Sequence, residues 1–196
     1  NTKTVIELLE RGDGSAVALS APEREPLTFA ELCRHVMSTV TALNELGIGR
    51  NDPVAIVLPN GPEMASAFVA ISSGATTAPL NPAYTADEYE FYLSDLDAKL
   101  LVVEAGSDSP VLSAAEKLGV KVAELTWSPA DKAGLFQLRG EPVEDPLHGA
   151  GLSESGSLGG ARPQKGGCAE ADDVALVLHT SGTTSRPKIV PLSHAN

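Results

Sequence analysis

The chain has 196 residues, of which 42% are hydrophobic and 20% are charged, and its formal net charge is −12. This composition predicts a globular protein with a substantial core, organised as one domain or as one domain plus a tail. The negative charge disfavours nonspecific binding to nucleic acid or to an anionic membrane. We expect neither secretion nor an integral membrane segment, because the sequence has no signal-peptide pattern and no run of 18 apolar residues.

Helix and strand patterns alternate from the amino end to residue 141. Thr28 is expected to cap the long second helix together with Glu31, and Gly47 is expected to end that helix. Helices are predicted over 5–9, 28–46, 63–74, 85–95 and 110–118, and strands over 16–19, 27–29, 53–58, 77–79, 99–104 and 120–125. This alternation predicts an α/β fold, with a layered, mainly parallel sheet flanked by helices.

The periodicity disappears over 142–173, where paired glycines predict a flexible linker or surface loop. A strand then follows over 174–178. We therefore divide the chain into an α/β part over 1–141, the Gly-rich segment over 142–173, and a strand, a loop and the start of a next element of the same domain over 174–196.

The cysteines and histidines carry no metal-binding pattern. Cys33 and Cys168 lie far apart in sequence, and they fit neither a disulfide framework nor a metal spacing. We expect Cys33 in the core and Cys168 at an exposed position. His35 and His148 also lack suitable neighbours, so no resident metal site is predicted. Free cysteines favour a reducing compartment.

The most informative segment is the hydroxyl-rich loop over 180–188, directly after the apolar run at 174–178. It holds five hydroxyl side chains, with Gly182 at its centre and the cations Arg186 and Lys188 at its end. Hydroxyls donate hydrogen bonds, cations neutralise charge, and glycine lets a backbone approach an anion closely. The composition favours a phosphate-binding loop, with an ordinary polar hairpin turn as the alternative.

This segment is not the common nucleotide loop G-x-x-x-x-G-K-[ST]. Pro187 replaces the second glycine and removes a backbone N–H, and Ile189 stands where a magnesium-binding hydroxyl belongs. The donors must therefore be mainly side-chain hydroxyls.

Four segments in the right order resemble landmarks of the acyl-adenylate-forming (AMP-binding) superfamily, which includes acyl-CoA synthetases. They are Leu27–Leu32, Val54–Asn60, Ala78–Tyr84 and the loop-bearing Leu178–Lys188. The resemblance implies that the chain is the first part of the large N-terminal domain of an acyl-CoA synthetase.

The details are most similar to the oxalyl-CoA synthetase branch, the peroxisomal-CoA-synthetase-like proteins. Ser185, where glycine is commoner, is one such detail, and the segments Leu80–Tyr84 and Glu90–Asp95 are the others. Ile189 departs from the usual glycine. Because a β-branched residue stiffens the backbone, we expect it to alter loop mobility or nucleotide affinity.

The resemblance implies a ligase that works in two steps. A small carboxylic acid attacks the α-phosphate of ATP, brought with Mg²⁺, and CoA then attacks the acyl-adenylate. Lys188 would neutralise charge as pyrophosphate leaves, and Gly182 would allow close approach. The residues expected to hold the β- and γ-phosphates are Thr180, Ser181, Gly182, Thr183, Thr184, Ser185 and Lys188.

Other elements of this machinery are expected after Asn196, including the catalytic lysine and the magnesium-binding glutamate. We therefore expect residues 1–196 alone to be inactive. A medium-chain fatty-acid or 4-coumarate-type CoA ligase is the alternative enzyme. A noncatalytic truncated module that binds nucleotide or a partner is the alternative of another class. The expected location is cytoplasmic or peroxisomal, and the oligomeric state is left open.

Overall fold

The fold alternates helices and strands in the predicted order. The structure is a computed structural model that describes residues 3–144, 146–147, 166–180 and 187–196. Its elements are α1 (Val5–Leu9), β1 (Val17–Leu19), β2 (Leu27–Thr28), α2 (Phe29–Glu45), β3 (Pro53–Val57), α3 (Pro62–Ser72), β4 (Thr76–Pro79), α4 (Ala86–Asp95), β5 (Leu100–Glu104), α5 (Val111–Leu118), β6 (Lys121–Thr126), β7 (Gln137–Arg139), β8 (Val174–Thr180) and β9 (Lys188–Ser193).

Seven strands form the main sheet in the order β7-β6-β5-β3-β4-β8-β9, and β1 and β2 form a separate antiparallel pair. The five inner strands, β6, β5, β3, β4 and β8, run parallel. The chain passes from β3 to β4 on one side and then crosses to β5 on the other. The carboxyl edge of β3 is therefore a switch point, the position where open α/β sheets bind ligands.

The sheet separates two hydrophobic cores. Along β3, Val54 and Ile56 point into the core shared with α2 and α3, whereas Ala55 and Val57 point into the core shared with α4 and α5. Both faces are covered because strand side chains alternate between faces. This layered α/β architecture with a mostly parallel sheet confirms the predicted fold class.

Helix α2 begins as the sequence predicts. The Thr28 hydroxyl accepts a hydrogen bond from the Glu31 amide at 3.3 Å, and the Thr28 amide donates to the Glu31 carboxylate at 2.9 Å. A hydrogen bond from Lys132, followed by the Thr28 contacts, lowers the pKa of Glu31 to about 2. The helix ends just before Gly47, whose positive φ of 78° suits glycine.

Both edges of the sheet are antiparallel, which the sequence patterns did not predict. Strand β7 pairs with β6, and β9 pairs with β8. Strand β7 has only three residues, and Pro191 interrupts the apolar residues of β9, so neither gave the uninterrupted apolar run that identified the buried strands. Residues 194–195, which follow β9, form a turn.

The described ends of the 142–173 segment lie against the α/β part. The amides of Val143 and Leu147 donate to the carbonyls of Glu45 and Asn44, and the Ala169 amide donates to the Ser73 carbonyl at 2.7 Å. The domain boundaries drawn from the sequence stay predictions. Within the described residues, no helix combines the length and the apolar character that a membrane crossing requires.

The Thr28 cap generates a stability prediction. Thr28→Ala removes a hydroxyl that satisfies an amide at the helix start, so we expect the free energy of unfolding to fall by about 1 kcal/mol. Thr41→Ala is the matched control, because Thr41 is exposed in the interior of the same helix. Urea denaturation measures both, and equal effects of the two variants would contradict the capping role.

Candidate functional site

The predicted phosphate loop connects β8 to β9 at the carboxyl edge of the sheet. Thr180, the last residue of β8, pairs directly with Lys188, the first residue of β9. Opposed residues of antiparallel strands project to the same face, so the hydroxyl and the ammonium stand side by side at the mouth of the loop. Both residues are exposed. The other predicted phosphate-binding residues lie outside the described residues: Ser181, Gly182, Thr183, Thr184 and Ser185.

The same edge collects two of the sequence landmarks. The segment Leu58–Asn60 follows the carboxyl end of strand β3, and the segment Leu80–Tyr84 follows the carboxyl end of the neighbouring strand β4. The second segment is held in place by Asn81, whose side chain accepts from the Ala83 amide at 3.0 Å and whose carbonyl accepts from the Tyr89 hydroxyl at 2.9 Å. Segments as distant in sequence as Leu58 and Thr180 thus converge because parallel strands end at one edge.

A row of aromatic rings joins the second landmark to the strand that carries the loop. Tyr84 stacks on Tyr92 of α4 with ring centroids 4.8 Å apart, and Tyr92 meets His179 of β8 edge-on at 4.6 Å. His179 Nε2 lies 3.2 Å from the Asp95 carboxylate. A hydrogen bond with Tyr84, followed by burial, raises the pKa of Tyr92 to about 12. His179 is therefore packed against α4 immediately before the loop begins.

The opposite end of β8 is fixed by an ion pair. Arg50, in the turn before β3, donates to both Asp173 carboxylate oxygens, at 2.6 and 3.3 Å, and to Glu170 at 2.6 Å. The Asp173 side chain is only 7% exposed. Burial raises its pKa, but hydrogen bonds from Arg50, the Glu170 amide and Asn51 outweigh that effect and leave the pKa lowered.

Asn51 completes this anchor. The Asn51 side-chain Nδ2 donates to the Asp173 carboxylate at 2.6 Å, and the Asn51 side-chain Oδ1 accepts from the Val174 backbone amide at 2.8 Å. Its φ of 63° lies in the left-handed region, which asparagine tolerates better than most residues. The Thr76 hydroxyl of β4 donates to the Val174 carbonyl at 2.7 Å. The first residue of β8 is thereby bonded to both β4 and the turn before β3.

A cavity of about 250 Å³ lies at the carboxyl ends of β3, β5 and β6. Its charged wall is Arg24, which pairs with Glu63 at 2.5 Å and lies 4.8 Å from the Trp127 ring centroid. The Trp127 indole donates to Glu104 at 2.9 Å. These polar groups are bonded to one another, so the cavity offers mainly its apolar wall to a ligand.

The sequence did not indicate the supports of the loop. The structure pairs Thr180 with Lys188, and the phosphate-binding role of the loop residues stays a prediction. Tyr92, Asp95 and the Arg50 anchor were not identified as neighbours of β8. Asp95 and His179 are 84 residues apart in sequence, and Arg50 and Asp173 are 123 residues apart. The only local sign of these contacts was the acidic pair before β8, and that pair does not indicate which basic residue it binds.

The mainly parallel sheet, with a switch point at its carboxyl edge, defines an open α/β domain. Comparison with known families makes this specific, because residues 9–196 match the family described as AMP-binding enzyme. The chain belongs to the AMP-binding enzyme family, as its sequence landmarks predicted.

CoA ligases are among the proteins to which this chain is similar. The chain is 39% identical to an oxalate–CoA ligase of Arabidopsis thaliana in an alignment 190 positions long, which covers 91% of this chain and 32% of that protein. It is 36% identical to an oxalate–CoA ligase of Saccharomyces cerevisiae in an alignment 198 positions long, gaps included, which covers 92% of this chain and 36% of that protein. The chain thus spans about a third of the length of these relatives.

Solved structures share the fold. Apo MatB from Rhodopseudomonas palustris superimposes with a TM-score of 0.69 at 25% identity, covering 99% of this chain and 35% of that chain. A long-chain-fatty-acid-CoA ligase from Archaeoglobus fulgidus gives 0.67 at 23% identity, covering 98% of this chain and 37% of that chain. The second likeness concerns the fold alone.

The Arg50 anchor predicts a large effect of one neutral substitution. Asp173→Asn leaves Arg50 without its buried partner, so we expect the free energy of unfolding to fall by about 2–3 kcal/mol at pH 7. Asp97→Asn is the matched control, since the Asp97 side chain is 83% exposed in its pair with Lys99 and should change stability by less than about 1 kcal/mol.

The free energy of unfolding should depend on pH through Asp173. Because the folded-state pKa of Asp173 is lowered, its stabilisation is present above the unfolded-state pKa of about 3.9 and is lost as pH falls through the folded value. Denaturation curves at pH 7 and pH 3 measure this loss. An Asp173→Asn penalty of the same size at both pH values would contradict the ion-pair account.

His179 tests whether the ring before the loop packs or contacts a ligand. Its side chain is 7% exposed and lies against Tyr92, so we expect His179→Phe to keep nucleotide affinity within about twofold. His179→Ala should lower the free energy of unfolding by about 1–2 kcal/mol through lost aromatic packing. Calorimetry and urea denaturation give the two readouts. Loss of nucleotide affinity in a stably folded His179→Phe would instead assign the imidazole a ligand contact.

Proposed function

We propose that this chain provides the triphosphate-binding part of an AMP-forming acyl-CoA ligase. The observation that carries the proposal is the Thr180–Lys188 pair at the mouth of a hydroxyl-rich loop, in a chain of the AMP-binding enzyme family. The reaction joins a carboxylic acid to the α-phosphate of ATP, releases pyrophosphate, and then transfers the acyl group to CoA.

Each loop residue has a proposed task. Thr180, Ser181, Thr183, Thr184 and Ser185 donate hydrogen bonds to the β- and γ-phosphates, and Gly182 lets the backbone approach them. Lys188 places a positive charge beside these hydroxyls and stabilises the pyrophosphate as it leaves. Such a charge matters here because the chain as a whole carries a net charge of −12, which repels polyanions. The Mg²⁺ ion would enter as MgATP.

Oxalate is the proposed carboxylic acid, supported by two similar relatives that are named oxalate–CoA ligases. A medium-chain fatty acid or a 4-coumarate-type acid is the alternative substrate. A cytoplasmic or peroxisomal location fits the two free cysteines, which suit a reducing compartment.

A noncatalytic role in binding nucleotide or a partner is the second candidate function. In that case residues 1–196 would bind nucleotide or a partner without turnover. Pyrophosphate release separates the two functions. We expect none from residues 1–196 with ATP and oxalate, and turnover by this polypeptide would show that it holds a complete ligase site.

Nucleotide titration tests the phosphate loop directly. Lys188→Met removes a charge-assisted contact to phosphate, so we expect MgATP affinity to fall by about tenfold or more. Lys117→Met is the matched control, because Lys117 carries the same charge on α5 and makes an exposed pair with Glu90. The MgATP affinity of Lys117→Met should stay within about twofold of that of the unaltered chain.

Isothermal titration calorimetry measures both variants with MgATP and with pyrophosphate. If the two lysine variants lose the same affinity, the loss comes from the change in net charge, and Lys188 does not contact the triphosphate. An unchanged affinity in Lys188→Met would exclude the loop as the triphosphate site, even if the chain binds nucleotide elsewhere.

A further inference from the structure

Two sulfur atoms are in contact where helix α2 meets the segment that leads into β8. The Cys168 Sγ lies 3.5 Å from the Met37 Sδ. Cys33 precedes Met37 by four residues in α2, so the two residues lie on one face of the helix, with Cβ atoms about 5–6 Å apart. The fold thus brings Cys168 to the helix face that carries Cys33 and Met37, although 135 residues separate the cysteines in sequence.

The cluster is reachable from solvent. The Met37 side chain is 47% exposed, an unusual setting for a large apolar residue, and both cysteines are free and half-buried. Burial, followed by the Glu10 carboxylate, raises the pKa of both thiols.

The ligand set selects the kind of ion. Thiolate and thioether sulfur are soft donors, which favour copper(I) over magnesium, calcium or other oxygen-seeking ions. Two sulfur ligands at about 2.3 Å from one ion are about 4 Å apart in a trigonal arrangement, close to the observed contact. No three His, Cys, Asp or Glu side chains in the described part of the chain form a metal-binding group, so the thioether is needed as the third ligand.

We propose that Cys33, Met37 and Cys168 bind one thiophilic monovalent cation of the copper(I) class. Binding displaces the thiol protons and leaves two thiolates and one thioether around the ion. This site is separate from the phosphate loop and does not depend on the proposed ligase activity. Because Cys168 lies five residues before the Asp173 anchor, a bound ion would also tie the segment before β8 to α2.

Copper(I) titration of the reduced chain under anaerobic conditions tests the proposal. Native mass spectrometry should show one copper per chain, and competition with a chromophoric copper(I) chelator measures the affinity. We expect Cys33→Ser, Cys168→Ser and Met37→Leu each to weaken binding by at least about tenfold, since even the loss of an outer-shell partner costs about 10- to 100-fold.

Met64→Leu is the matched control, because Met64 is the other methionine of the chain and only packs against the core. It should keep the affinity of the unaltered chain. Circular dichroism of every variant shows whether the fold is retained, and the exposed Met37 should be replaced without unfolding.

Three results would overturn the three-sulfur site. The first is equal copper(I) affinity in Met37→Leu and Met64→Leu, which would leave the thiols as ligands without the thioether. The second is one copper shared by two chains, which would place the site between copies. The third is no copper retained against the chelator by the unaltered chain.

Discussion

The position of β8 depends on the buried pair between Arg50 and Asp173. Strand β8 is parallel to β4 with a single aligned pair, Thr77 opposite Leu176, so the ladder alone fixes it weakly. A buried ion pair contributes little net stability when its desolvation is counted. Here, however, Asp173 accepts hydrogen bonds from Arg50, Asn51 and a backbone amide. The saturated carboxylate therefore acts mainly to specify one register for the strand that carries the loop.

From that fixed start, β8 delivers the hydroxyl-rich loop to the carboxyl edge of the sheet. His179 is held near the far end of the strand by Tyr92 and Asp95 of α4. The β9 strand then returns antiparallel and sets Lys188 beside Thr180. Both ends of the loop are thus attached to the rigid sheet. A loop with fixed ends loses less conformational freedom on binding an anion than a free segment of the same length.

Much of this fold was predictable from the sequence because its signals are local. Apolar runs identified the parallel strands, and the Thr28–Glu31 spacing identified the start of α2. The supports of the site were not predictable, because Arg50 and Asp173 carry no local mark of their pairing across 123 residues. The edge strands were missed for a different reason. Strand β7 is too short to show a pattern, and Pro191 interrupts the apolar residues of β9, which argues against a strand.

The structure also changes how Ile189 is understood. The sequence indicated a stiff residue just after the loop, but Ile189 lies within β9, opposite His179. A β-branched side chain favours an extended strand, so it stabilises the hairpin that closes the loop. Glycine at the same position would weaken that strand and let the loop extend toward the sheet. The effect of Ile189 on nucleotide binding should therefore come through the fixed placement of Lys188, its neighbour, and not through contact with phosphate.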